Sequence, residues 1–384
     1  MSEVKYIFKD PDFLEYCYYR AWATAGASED HAKIMARCIA YGDRIGKQQQ
    51  GMGVFEAPIT VLRSGNLDIE AEPEVITDGP AYTVIDGNMS SGQYTVTKAT
   101  NISIEKARSS GIAISLSRNH NDAGCFAAYT SLASDQDMVA IATNNALRLV
   151  SPWGAMENIL CSLPLAMSSP GGDEAPIEVD IATGDTYDAH ISEAYFNKTK
   201  LKGKWLANPE TGELTDDVSE FFEPIGEFGR LADCSAPVVF DSPRLYALSV
   251  MCEVLSGVLV PGGRIGPEIP YPVSAWTEYQ GETSVGGSMV IVINPAIFGD
   301  IKEFKSKSDK LARYCKDAKK LPDVDEIYLP GERGYRNRVT GVEVKIQKSH
   351  WDGFKEILSS FDLNINDLKS EWHLEVNKET GAKS

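Results

Sequence analysis

The chain has 384 residues, of which 43% are hydrophobic and 24% charged, with a formal net charge of −18. That length allows one large domain or two of ordinary size with an ample core, and the acidity argues against a general nucleic-acid binder, which needs a basic footprint. No stretch approaches a membrane span and the start, MSEVKYIFKDPDF, lacks the basic-then-apolar layout of a signal peptide, so a cytoplasmic, soluble protein with no membrane partner is expected.

A small anionic substrate stays compatible with this charge, because one or two buried arginines can build a local positive pocket. The seven cysteines, Cys17, Cys38, Cys125, Cys161, Cys234, Cys252 and Cys315, include no CxxC pair. Their odd number and wide spacing point to reduced, mostly buried thiols, and no metal site is expected.

Residues 9–25 read as a helix broken at Gly26-Ala27-Ser28. Ser28 is a cap for a second helix, with Glu29 and Asp30 in its first turn and Ile34, Met35, Cys38 and Ile39 at helical spacing. Residues 42–53 carry glycines and three consecutive glutamines and read as a loop: a polar surface connection, or a substrate loop whose amides face a ligand. The order of a phosphate-binding loop is absent from it. Residues 80–87 suggest a strand, and Thr95–Ser110 a helix stopped by Gly111.

The stretch from Gly111 to Pro164 organises the rest. Two β-like runs, Gly111–Leu116 and Met138–Ala142, flank a helix-like segment from about Gly124 to Gln136. Polar residues cluster where strand meets helix, at residues 117–122, and again at Thr143-Asn144-Asn145. Crevices at strand ends are where open α/β sheets place ligands, so the functional site is expected there. Beyond it, Ile177–Ala182 reads as a strand after a Gly171-Gly172-Asp173 turn, and residues 197–231 as irregular surface. Residues 244–258 read as a largely buried helix and Met289–Asn294 as a buried strand. Glu303–Lys320 reads as an amphipathic helix with Phe304, Leu311 and Tyr314 inward and Lys316–Lys320 solvated. Residues 331–338 read as a charged loop, and the last 15 residues as frayed.

The order of segments resembles the malate/L-lactate/ureidoglycolate dehydrogenase family, also called type-2 malate/lactate dehydrogenases. The likeness runs through GNLDIEAEPEV at 65–75, VIDG at 84–87, RN at 118–119, TNN at 143–145 and PWG at 152–154. It continues in VDIATG at 179–184, EVLSGVL at 253–259 and LPGER at 329–333. The resemblance implies an unusual mixed-sheet α/β fold rather than an ordinary Rossmann fold, which accounts for the lack of GxGxxG. It also implies a homodimer that binds NAD or NADP and moves hydride to or from small oxo, hydroxy or imino acids. The approximate division it implies is a substrate and dimerisation domain from 1–85 and 265–384, around a central dinucleotide-binding-like domain at 86–264.

The departures from the family pattern fall at functional positions. The early family loop, Asp-Ser-His-Gly-Val-x-Arg, stands here as Gln48 through Val54, so serine and histidine become Gln49 and Gln50 and the carboxylate-binding arginine becomes Val54. In the later motif the histidine position holds Asp122 and the neighbouring serine position His120. The Gly-Thr-Asn-Pro of the cofactor region becomes Cys161-Ser162-Leu163-Pro164.

Hydride transfer to C=O or C=N needs a proton donor beside the developing charge. His120, with an ordinary pKa of about 6.5, is a candidate, as is Asp122 if burial or a nearby charge raises its pKa. Structural, turn or capping roles are the competing readings for both. Arg118, through its forked donors, is the candidate carboxylate clamp, or else a plain salt bridge. Gln49 and Gln50 are candidate neutral substrate contacts. The resemblance sets Asn144, Asn145, Gly154, Ser162, Asp180, Thr183 and Arg244 near the dinucleotide. The expected activity is an NAD(P)H-dependent reductase or dehydrogenase with an atypical substrate. The alternatives are a non-redox lyase, hydrolase or isomerase reusing the pocket, and a non-catalytic binding protein.

Overall fold

The computed structural model describes residues 5–229, 231–270 and 276–380. Its centre is a seven-stranded sheet in the order Glu74–Asp78, Tyr82–Asp86, Ile112–Arg118, Ser288–Ile293, Val139–Asn144, Pro164–Ser169, Ile177–Ala182. Tyr82–Asp86 and Ile112–Arg118 run parallel, and every other neighbouring pair is antiparallel. This is the mixed sheet that the resemblance implies, and it differs from the all-parallel, doubly wound arrangement.

The run Met289-Val290-Ile291-Val292 is apolar and, in its last three residues, β-branched, suited to a strand covered on both faces. It inserts between the two strands of the central segment. Its register sets Ser288 against both Ser117 and Asn144, so the C-terminal ends of those strands meet at one point. The helices Gly92–Ser110 and Ala127–Ser134 cover one face. Small residues in the strands, Ala113, Ala140, Ala142 and Ala166, let Val96, Ile104, Phe126 and Tyr129 pack closely onto the sheet. Gly111 ends the first of these helices at φ +80°, and a side chain there would collide with Ile297.

A second core joins the two ends of the chain. Helices Pro11–Thr24 and Glu29–Arg44 pack with Lys348–Ser360 around Tyr18, Trp22, Phe55 and Phe354. The Phe55 and Phe354 rings meet edge-on with centroids 5.0 Å apart. Ser28 caps the second helix through its hydroxyl, which accepts the His31 amide at 3.3 Å. A third cluster, including Leu149, Val150, Ile191, Leu206 and Phe222, lies beneath the helix Asp188–Asn197.

Several local expectations are corrected. The stretch 42–53 is not all loop: the second helix continues to Arg44, and Gln48–Gln50 and Met52–Val54 are single 3₁₀ turns. Residues 197–231 include short strands at Leu206–Ala207, Leu214–Thr215 and Phe222–Ile225, whose pairings are tertiary and leave no long periodic pattern. The helix Pro243–Glu253 and the wide turn Val254–Val258 expose Met251 and Val258 instead of burying them. In Ile301–Lys316 it is Asp309 and Ala312 that face inward, while Leu311 and Tyr314 are exposed. The Asp309 carboxylate turns inward because it accepts the amides of Gly172, Asp173 and Glu174. Lys316, expected in solvent, pairs with Glu174 and Glu332. Glu332–Thr340 is a helix, not a loop, held by that same Glu332. Ile365–Thr380 is also helical, docked through buried Leu368 and the Trp372 ring on Phe13, and residues 381–384 lie outside the described residues.

None of the seven cysteines, all among the described residues, forms a disulfide; Cys161 is half-buried and Cys315 exposed. Among the described residues, no helix is long and apolar enough to cross a membrane.

Candidate active site

A cavity of about 840 Å³ opens where the early loop, the strand ends and the Asp188–Asn197 helix converge. Its size is in the range of pockets that hold a drug-sized molecule.

The loop wall is Gln49, Gln50, Gly51, Gly53 and Val54. Its anchor is Asp43, buried on the preceding helix, whose carboxyl accepts the Tyr18 hydroxyl at 2.6 Å and the Met52 amide at 3.1 Å. Burial pushes the Asp43 pKa up to about 7. Gly51 lies so close that a Cβ there would collide with the Asp43 carboxylate. Gln49 donates to Glu193 at 2.5 Å, and Gln347 donates to the other oxygen of the same carboxylate at 2.7 Å. Gln49 therefore ties the loop to the Asp188–Asn197 helix. Gln50 also lines the cavity, and its Oε1 has no hydrogen-bond partner.

Asp180 braces the opposite wall. Its carboxylate accepts the Ala127 amide at 3.0 Å and the Cys125 thiol at 3.3 Å, and pairs with Lys47 Nζ at 3.2 Å. Lys47 also donates to the Asp180 carbonyl at 2.6 Å, so its donors are directed at one residue.

Two further acids face the open space. Asp122 and Asp188 line the cavity and present accessible surface to it, while the surrounding protein desolvates both. Asp122 Oδ2 accepts the Gly124 amide at 3.2 Å, yet burial raises its pKa above the ordinary value. Asp188 is the first residue of its helix, where the helix dipole favours the charged form. Burial and, second, the charge of Asp122 outweigh that, and push Asp188 up to about 6. The charge of Asp122 is thus felt at Asp188 across the cavity wall.

Cys161 lies in the same wall, and burial first, then Asp188, raise its thiol well above the usual range. It stays a thiol at neutral pH, without the thiolate a nucleophile needs. His190 lies tilted against Tyr187 with ring centroids 4.0 Å apart, and burial lowers its pKa, so it is neutral at pH 7.

Of the residues expected at the site, Gln49, Gln50, Asp122, Asn144, Ser162 and Asp180 line this cavity. Asn144 is 1% exposed and its Oδ1 finds no partner in the protein.

The others sit elsewhere. His120 is 0% exposed and outside the cavity lining. Its Nδ1 donates to the Asn121 carbonyl at 2.8 Å, and its Nε2 accepts from the hydroxyls of Ser288 at 3.0 Å and Ser117 at 3.3 Å. Burial drives its pKa down to about 4, so a neutral imidazole pins the point where the three strand ends meet. Arg118 pairs with Asp86 at 3.0 Å, its register neighbour on the parallel strand, and donates to the Pro261 carbonyl at 2.7 Å. Asn145 is consumed by Glu253, the Arg264 carbonyl and the Gly287 amide. The Thr183 hydroxyl donates to the Leu163 carbonyl, Gly154 occupies an exposed turn, and Arg244 is exposed at a helix start.

The sequence profile of the malate/L-lactate dehydrogenases matches residues 10–353. The chain belongs to the malate/L-lactate dehydrogenase family. It is 31% identical over 343 residues to L-sulfolactate dehydrogenase of Methanocaldococcus jannaschii, covering 89% of this chain and 94% of that one. It is 30% identical over 351 residues to malate dehydrogenase of Pyrococcus horikoshii, covering 89% and 91%. The solved structure of the M. jannaschii sulfolactate dehydrogenase matches this fold with a TM-score of 0.79 at 28% identity, over 94% of this chain and 99% of that one.

For a malate/L-lactate dehydrogenase family member, the residue that sequence reasoning overlooked is Asp188. Its one local signal is an acid in the first turn of a helix, which reads equally as dipole compensation. Its pairing with Asp122 depends on the sheet bringing two distant turns together.

Proposed function

We propose that this member of the family is an NAD(P)H-dependent reductase or dehydrogenase acting on a small carbonyl, hydroxy, imino or amino compound. The observation that carries the proposal is the Asp122–Asp188 pair. An acid poised near 6, facing a large cavity, suits reversible proton transfer near neutral pH better than an ordinary surface carboxylate. Asp188 supplies the proton to the atom that gains negative character, and takes it back in the reverse direction. Asp122 keeps that proton available by disfavouring a second negative charge beside it.

The cavity suits the head of a nicotinamide dinucleotide. The orphaned Asn144 Oδ1 is an acceptor in want of an N–H donor, and a carboxamide carries one. When bound, the dinucleotide supplies or accepts the hydride. The chain's own residues hold the acceptor, shield it with Phe55, Leu67 and Trp276, and handle the proton.

The test is transfer of label. Protein is incubated with NADH or NADPH deuterated at the transferable position and a panel of oxo and imino compounds, and products are read by mass spectrometry. Deuterium on carbon in a product supports the proposal. No transfer in either direction by folded protein refutes it.

A further inference from the structure

Resting on that reading, we infer that the substrate of this site is a small imine that carries no carboxylate and is protonated in the site to its iminium cation.

Among the described residues that line the cavity are five acids, Asp122, Asp180, Asp185, Asp188 and Glu193, and no arginine. The lysine of that wall, Lys47, is directed at Asp180 through both its ion pair and its hydrogen bond. His190 is neutral at pH 7. Arg118 is held by Asp86 outside the wall. A substrate carboxylate entering here would meet Asp122 and Asp188, while the lysine among the described lining residues is already directed at Asp180.

Two acceptors of the wall point in the same direction. Asn144, buried and lining the cavity, has an orphaned carbonyl oxygen, and Gln50 has another. Gln49, which could have donated, spends its amide on Glu193. Val54 contributes only hydrocarbon where the family loop carries an arginine. Alongside the hydroxyls of Ser162 and Tyr187, the wall thus holds two carbonyl oxygens without a partner. A ligand with N–H donors and a positive charge satisfies them, and the apolar surfaces of Ile39, Phe55, Val61 and Trp276 suit a hydrocarbon body behind that charge.

The reaction balances on these groups. A neutral imine takes the Asp188 proton: an N–H bond forms, the Asp188 O–H bond breaks, and the iminium rests against the two carboxylates. Hydride from the reduced nicotinamide dinucleotide, the co-reactant, adds to the iminium carbon. The C=N π pair becomes the nitrogen lone pair, leaving an amine and the oxidised dinucleotide. Water returns a proton to Asp188, so imine, reduced dinucleotide and one proton give amine and oxidised dinucleotide.

The experiment compares 1-pyrroline with its 2-carboxylate, and with oxaloacetate and pyruvate, by dinucleotide oxidation at saturating NADH and NADPH. Pyrrolidine, proline and succinate are titrated in parallel by calorimetry. The inference expects 1-pyrroline to exceed each carboxylated substrate at least 100-fold in kcat/KM, and pyrrolidinium to bind at least tenfold tighter than succinate. Asp122→Asn weakens pyrrolidinium binding at least tenfold. Val54→Arg, which restores a wall cation without touching the acid pair, shifts preference toward the carboxylated substrates at least tenfold.

Turnover of oxaloacetate, pyruvate or the 2-carboxylate in preference to 1-pyrroline overturns the substrate class and leaves the redox reading standing. Pyrrolidinium binding with no hydride transfer to any substrate supports the cation site and overturns the redox reading. Neither binding nor turnover overturns both.

Discussion

Replacing Asp188 by asparagine keeps the shape of the helix start and removes the proton. Asp188 is held near 6 by burial and by Asp122, so at pH 7 about one molecule in ten carries the acid form. That is enough to sustain proton transfer, whereas an ordinary carboxyl near 3.9 would hold the acid form in about one molecule in a thousand. Loss of a positioned general acid costs about 10²- to 10⁴-fold in rate, or about 3–5 kcal/mol in the barrier. Asp188→Asn should therefore lower kcat and kcat/KM for reduction together by that factor, with little change in dinucleotide affinity. In the native protein, kcat/KM for reduction should fall as pH rises through about 6, because the acid form is lost. Asp122→Asn removes the second cause of the shift, so this limb moves to lower pH. It stays above the ordinary carboxylate value, because burial is the larger cause. The assay is kcat/KM from pH 5 to 9 for the three proteins. An Asp188→Asn variant within threefold of the native rate at pH 7, or an Asp122→Asn limb displaced upward, would refute the reasoning.

Three further outcomes follow from groups around the cavity. Asp43→Ala leaves the Tyr18 hydroxyl and the Met52 amide without their buried acceptor; at about 1–3 kcal/mol for each such group, urea unfolding should show a loss of several kcal/mol, and an unchanged midpoint would contradict the role of Asp43. Gly51→Ala should raise KM and lower the melting temperature through its collision with Asp43, and native values of both would show that the loop tolerates the side chain. His120→Gln should cost about 1–3 kcal/mol of stability by breaking its contacts with Ser117 and Ser288, yet leave the pH profile of kcat unchanged; a lost ionisation in that profile would restore His120 as the acid. The folded-state pKa of His120 lies near 4, below the unfolded value of about 6.5. Its advantage over the glutamine variant is thus full above about 6.5 and shrinks as pH falls to 4, by at most about 3 kcal/mol, and a growing advantage on acidification would contradict the burial argument.

Local patterns were readable in the sequence where a few adjacent residues decide the outcome. Ile177–Ala182 alternates apolar and acidic residues between two polar turns, and it is a strand over those same residues. Ser28, followed by two acids, is a helix cap. The resemblance supplied the mixed sheet, which no local pattern contains: Ser288–Ile293 is visibly a strand, but nothing in it tells that it enters between two strands formed much earlier in the chain.

At the site, residue type was readable and direction was not. His120 and Asp122 are two residues apart in a polar turn, yet the imidazole turns back onto Ser288 while the carboxylate faces the cavity. Arg118 looked like an anion clamp until the sheet register set Asp86 beside it. Asp188 acquires its perturbed proton from burial and from Asp122, both products of tertiary structure. Helix exposure failed for a similar reason: Leu311 and Tyr314 have the right types for an inner face, but the amides at Gly172–Glu174 draw Asp309 inward.

The central claim is that this cavity works with a nicotinamide dinucleotide, and calorimetry of NADH and NADPH on protein freed of carried-over nucleotide tests it most directly. The account predicts micromolar binding of at least one of them, about −8 kcal/mol, weakened when Asn144 is replaced by alanine. Folded protein that binds neither the reduced nor the oxidised forms would contradict it.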